Sequence, residues 1–190
     1  MQIMSGLRGD EETSDTIVRI SRGRLPWLII GLIGSGLSGT VIGTFEGALQ
    51  QAVVLATFIP IVTAMGGNAA VQSAAIAVQG LSTGELWMAD AFTRIGKEIA
   101  VALLNGCVIA ALLCAAVAVF DLGDAGLLIS TLGLTMLSIS VIATTNGALI
   151  PFVLKWAGVD PASAMGPFVT TLNDILGLTV YFLIATLIDR

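Results

Sequence analysis

Asp174 is the one acidic residue inside a long apolar run, Ala162 to Ile188, and that run holds no Lys, Arg or His to neutralise it. A bare carboxylate at bilayer depth costs on the order of 3 kcal/mol by insertion scales. Such a group persists where it faces a water-filled cavity or meets a cation, and a passing cation is the simplest countercharge available here. Thr170 and Thr171 lie four and three positions before Asp174, so on a helix both hydroxyls fall near its face, while Asn173 is displaced to a neighbouring one. A second polar island lies in Pro60–Ser73, around Met65-Gly66-Gly67-Asn68. Asn68 and Gln72 share a helical face, and their amide oxygens suit a cation or its water shell. The Gly66-Gly67 pair is expected to break the helix there, and irregular backbone at membrane depth lines a cavity or is buried in protein. This makes Gly67, Asn68 and Gln72 pore-lining candidates, against the plainer reading of a polar pair bonding two helices.

Two weaker candidates complete the set. Asn146, in Thr144-Thr-Asn-Gly147 ahead of Pro151, either lines the same cavity or bonds a neighbouring helix. Glu46 stands about 20 residues beyond Trp27, roughly 30 Å along a helix, near the far membrane surface where it attracts cations or is simply solvated.

The rest of the chain must position these groups in a membrane. Of 190 residues, 56% are apolar and only 11% charged, and the mean hydropathy is +0.97. A soluble domain carries about 25% charged residues. Thirteen Asp and Glu against eight Lys and Arg argue against a nucleic-acid partner. The absence of histidine removes Ser-His and Cys-His catalysis and His-ligated zinc. Cys107 and Cys114 are seven apart on one apolar stretch, two turns along a helix, too far to bridge. They read as packing residues.

Spans of about 20 apolar residues fall at about 26–49, 52–79, 99–120, 125–154 and 164–188, after a polar arm over 1–24. The first apolar run is too long for a secretory signal. Arg8, Arg19, Arg22 and Arg24 precede span 1, Arg94 and Lys97 separate spans 2 and 3, and Lys155 separates spans 4 and 5. Five spans put all of these on one side, so the expected fold is an all-α membrane protein with a cytoplasmic N-terminus and an outer C-terminus; only Arg190 departs from the pattern. Ser35, Gly39, Gly43 and Gly47 form a stripe of small residues on span 1, suited to close helix packing within the protomer or between subunits.

Six motifs in order carry a family resemblance: Arg24-Leu-Pro-Trp27, Phe45-Glu46, Pro60-Ile-Val-x-x-Met-Gly-Gly-Asn-Ala, Asn146-Gly-x-x-x-Pro151, Asp160-Pro-Ala, and Gly166-Pro-Phe-Val-Thr-Thr-x-x-Asp174. Together they resemble the transmembrane domain of the MgtE-type magnesium transporters, a family that includes a group of animal solute carriers. The resemblance covers about Arg24 to Ile188. It implies a homodimer of five-helix protomers in the cell (inner) membrane, with a cation path along the two-fold axis. It also implies a central Mg2+ site at Asp174, with Asn68 near it and Thr170 contacting the ion's water shell. Mg2+ is then the bound and transported ion. Bacterial relatives carry a cytosolic N-terminal domain and a CBS pair, whereas about 24 residues precede span 1 here. The expectation is an excised membrane domain or a naturally short member, with a separate cytosolic regulatory domain as a candidate partner. Gln79-Gly80 and Ala70 stand where many relatives have Arg-Gly and Gly.

Three other readings compete. A proton- or Na+-coupled carrier would use Asp174 as its coupling site and a broken helix 2. A scaffold subunit leaves the mid-membrane carboxylate unexplained. An intramembrane aspartyl protease fails on Asn173-Asp174-Ile-Leu-Gly, which matches no protease motif, so no catalytic residue is expected.

Overall fold

The computed structural model describes residues 16–47, 53–122 and 125–188, except the side chains of 163–165 and 167. Five long helices account for nearly all of them: α1 (Ile17–Thr44), α2 (Val54–Thr83), α3 (Ala91–Phe120), α4 (Ala125–Trp156) and α5 (Pro161–Ile188). No strand occurs among the described residues. All five are long and apolar enough to cross a membrane. At 28 to 32 residues they reach about 42–48 Å, more than the roughly 30 Å hydrocarbon layer. The chain is a multi-pass membrane protein.

α4 is the central pillar, packing against α2, α3 and α5, while α5 also packs on α2 and carries α1 on its outer side. The core follows from this order: Val62, Ala70 and Ala74 of α2 meet Leu128, Leu132, Met136 and Ala143 of α4 and Leu178, Tyr181 and Phe182 of α5. Two contacts pin the bundle. The Tyr181 hydroxyl donates to the Leu55 carbonyl at 2.9 Å, tying α5 to the start of α2. Gly147 of α4 lies so close to the Ala70 carbonyl that a β-carbon there would collide with the backbone. Small residues let helices approach in this way where no hydrophobic effect drives them together.

α2 runs unbroken through Gly66-Gly67, which corrects the expected interruption. In hydrocarbon every backbone group must be bonded within its own segment, so continuing the helix costs less than opening it. Gly66 serves packing instead: it is buried, and a β-carbon there would sit 3.0 Å from Ile139 Cγ2. Pro60 and Pro151 are likewise carried inside α2 and α4.

Helix limits also move. α1 starts at Ile17, not near Pro26, which lies inside it. α3 starts at Ala91, so Arg94, Lys97 and Glu98 are helical rather than part of a loop. α5 begins where Asp160-Pro-Ala would start a helix: Pro161 is its first residue and Asp160 Oδ1 accepts the Ala162 N–H at 3.2 Å. Residues 1–15 of the expected arm over 1–24, and the expected helix ends at Leu49 and Ala52, lie outside the described residues.

Candidate functional site

α5 buries Val169, Asn173, Gly177 and Tyr181 against the bundle. Asp174, one step round the helix, is half-buried, and Thr170, one turn before it, is exposed. The Thr170 hydroxyl donates back to the Gly166 carbonyl at 3.0 Å, which holds its oxygen close to the helix. No Lys or Arg among the described residues pairs with Asp174, and no group of three or more His, Cys, Asp or Glu gathers anywhere among them. The chain therefore offers a single half-buried carboxylate on α5, with a hydroxyl one turn away. Beneath it Asn173 is 3% exposed. Its amide donates to the Val169 carbonyl at 2.7 Å, and its Oδ1 has no hydrogen-bond partner.

Thr171 has a different task. Its side chain occupies the space where a β-carbon of Gly34 would stand, so it forms the α1–α5 seam with buried Gly34 and Ser38. The Phe45–Phe182 stack, with ring centroids 5.3 Å apart, closes the same seam. The stripe through Ser35, Gly39, Gly43 and Gly47 is turned away: all four are exposed, and β-carbons at the three glycines would meet nothing within 4 Å.

Asn68 and Gln72 do share a face, and both line a cavity of about 420 Å³ between α2 and α3, floored by Ser140 and Thr144 of α4. Gly67, Asn146, Thr170, Thr171 and Asp174 are not among its lining residues. Within one protomer, Asn68 and Asp174 thus belong to different surfaces. Asn146 is half-buried with its Nδ2 unbonded, just ahead of the Gly147–Ala70 crossing. Glu46 is exposed just beyond α1.

The cavity also contains residues that sequence reasoning passed over: Arg94, Glu98 and Asn105 of α3 and Ser73 of α2. Glu98 is 6% exposed and ion-paired to Arg94. Their four-residue spacing, continued by Ala102 and Gly106, was the available signal: both of those are buried as well. Charges near the start of an apolar run had read as a loop.

Comparison with known proteins agrees with this architecture. The family model for MgtE, described as a divalent cation transporter, matches residues 59–184. The chain is 41% identical over 182 residues to a magnesium transporter MgtE of Bacillus subtilis, covering 94% of this chain and 39% of that protein. Against the magnesium transporter MgtE of Enterococcus faecalis it is 34% identical, covering 98% of this chain and 41% of the relative. For the magnesium transporter MgtE of Thermus thermophilus the values are 33%, 87% and 36%. The chain thus spans about two-fifths of the length of the curated relatives it matches. On the family match and these identities, the chain belongs to the MgtE family of divalent cation transporters.

Proposed function

We propose that this chain forms, as a homodimer in the cell (inner) membrane, a path for a largely hydrated divalent cation, Mg2+ above all. The observation that carries the reading is Asp174: a half-buried carboxylate in the membrane-spanning part of α5, with no ion pair among the described residues. An intramembrane acid without a cation is costly. Two protomers meeting there would bring two carboxylates to one ion. Mg2+ parts reluctantly with its waters and prefers octahedral oxygen ligands, so two carboxylates supply charge while Thr170 and Asn68 contact the water shell. Gln72, Gly67 and Asn146 are further pore-lining candidates, and Glu46 draws cations to the outer mouth.

The basic residues before α1, in the α2–α3 region and at Lys155 support a cytoplasmic N-terminus. Flux then follows the electrochemical gradient, and an inside-negative potential contributes about 4.6 kcal/mol per 100 mV to a divalent ion, twice the single-charge value. The names of the relatives, magnesium transporters, support the choice of ion. The coupled-carrier reading drew on an interrupted helix 2, and the continuous α2 removes that support. The test is potential-driven Mg2+ uptake into proteoliposomes holding the wild type or Asp174→Ala, with Mn2+, Co2+ and Ca2+ as competitors. Uptake that is lost in the variant supports the reading. Undiminished uptake removes Asp174 from the path, and no uptake by folded wild type favours a scaffold.

A further inference from the structure

α2 and α3 each pack on α4 but barely on each other, and the gap between them is the cavity of about 420 Å³. Its lining carries two cations, Arg94 and Lys97, against one carboxylate, Glu98, which Arg94 already pairs. The excess charge is therefore positive, and it sits on Lys97. That side chain is exposed and makes no ion pair or hydrogen bond among the described residues. Two donors of the same lining are also unspent. Arg94 Nε and Ser73 Oγ are buried without a hydrogen-bond partner, and Ser73 is only 2% exposed. Buried donors left open are costly, and an anion with several oxygens would satisfy them.

The level of these groups in the membrane narrows the choice of anion. Arg94 lies at the start of α3, just after Trp87 and Phe92, which are 71% and 88% exposed. Exposed aromatic residues at the end of a membrane span mark the headgroup level. From there the cavity runs inward past two exposed apolar side chains, Ile76 of α2 and Val101 of α3. Val101 is about 10 Å farther along its helix than Arg94. Asn68 and Asn105, farther in, keep the deep end polar, so the charge and the apolar walls belong to the mouth alone. A free phosphate would use the charge and leave the walls bare. A phospholipid uses both, and basic pockets between membrane helices hold anionic headgroups in this way.

We propose that the mouth of the α2–α3 groove binds one anionic phospholipid. Lys97 and Arg94 hold its phosphate, Ser73 donates to the ester oxygens below, and an acyl chain leaves over Ile76 and Val101 into the bilayer. The inference goes beyond the cation path and does not rest on it. Glu98 has a defined part: it shares Arg94 with the phosphate and limits the affinity. Two neighbouring substitutions therefore act with opposite signs. Removing the Lys97 charge weakens lipid binding, and removing the Glu98 charge strengthens it by releasing Arg94. A cation in the same place would reverse both signs.

The experiment counts lipid adducts on the full chain by native mass spectrometry in mild detergent, with phosphatidylglycerol and phosphatidylcholine supplied at equal mole fraction. One phosphatidylglycerol per chain is expected to be retained in preference to phosphatidylcholine. Lys97→Gln, a change at an exposed position, should reduce that preference about fivefold, and Glu98→Gln should raise it. Lys155→Gln is the control, because Lys155 lies outside the cavity and donates to the Leu81 carbonyl. Its replacement should leave the preference unchanged. All variants are compared as folded protein, judged by circular dichroism and size-exclusion chromatography. Equal retention of the two lipids, equal losses in Lys97→Gln and Lys155→Gln, or a fall in Glu98→Gln overturns the proposal. Displacement of the lipid by inorganic phosphate would make this a site for a free anion instead. Cross-linking between copies through Val101→Cys, with Cys107 and Cys114 replaced by Ala, would put a second copy of the chain over the groove. Either result overturns the lipid assignment.

Discussion

The middle of α5 and the α2–α3–α4 cavity treat a buried negative charge in opposite ways. Glu98 is enclosed by its own protomer and neutralised by Arg94, its neighbour on the same helix. Asp174 is half-buried and has no such neighbour among the described residues. A paired buried charge is self-sufficient, and an unpaired one is an incomplete site. The contrast leaves Glu98 satisfied within the chain and Asp174 in want of a countercharge, which the proposed dimer path would supply. Asn68 lines the cavity with Glu98 and not the surface of Asp174.

The largest effect is expected where both regions lose their common support. Gly147→Leu drives a side chain into the Ala70 carbonyl, separating α2 from α4. Overpacking costs about 1–3 kcal/mol even where side chains can yield. Backbone cannot yield as readily, so the variant should give little monodisperse protein by size-exclusion chromatography.

Next comes a paired test on α1. Gly34→Ala meets Thr171 and should lower the thermal unfolding midpoint, by the equivalent of about 1–3 kcal/mol. Gly39→Ala enters open space and should leave the midpoint unchanged or raise it, since Ala is favoured over Gly in a helix by up to about 1 kcal/mol. If Gly39→Ala is instead the damaging member, the outer stripe of α1 is covered in the assembled protein.

A smaller loss is expected from Tyr181→Phe, which removes the bond to the Leu55 carbonyl and should cost about 1–2 kcal/mol by thermal unfolding in detergent. It loosens the α2–α5 contact without touching the cavity. Glu46→Gln should act least. An exposed charge at the end of α1 works through a screened field, so uptake should fall about twofold at low salt and not at all near 0.5 M.

Much of this architecture was legible because hydrocarbon imposes a simple rule. The five apolar runs had to become helices, and α2 to α5 follow them closely. What lay beyond the hydrocarbon edge was not legible, since a helix continuing into water needs no apolar run. This is why Ile17–Leu25 and Ala91–Glu98 were read as arm and loop. The expected break at Gly66-Gly67 applied a soluble-protein instinct where unbonded backbone is more costly than glycine in a helix. Asn68 and Gln72 do share a face, as a four-residue interval requires. The partner on that face, Glu98, was hidden because its own helix had been started at about residue 99 rather than at Ala91. Thr171 shows the opposite limit: its spacing from Asp174 suggested a shared role, but the nearby Gly34 takes its side chain into packing. Helical spacing gives the direction of a residue along its own helix, and only the neighbouring helices decide what it meets.

The most direct test of the account is the charge at position 174. Mg2+ uptake driven by an inside-negative potential should be compared in proteoliposomes of wild type, Asp174→Glu and Asp174→Ala, matched for folded protein. Removing a charge that interacts with a divalent ion by about 3 kcal/mol or more should lower flux on the order of 100-fold in Asp174→Ala, with Asp174→Glu retaining a measurable part. Equal uptake by all three would contradict the account, because the unpaired carboxylate would then have no part in moving the ion.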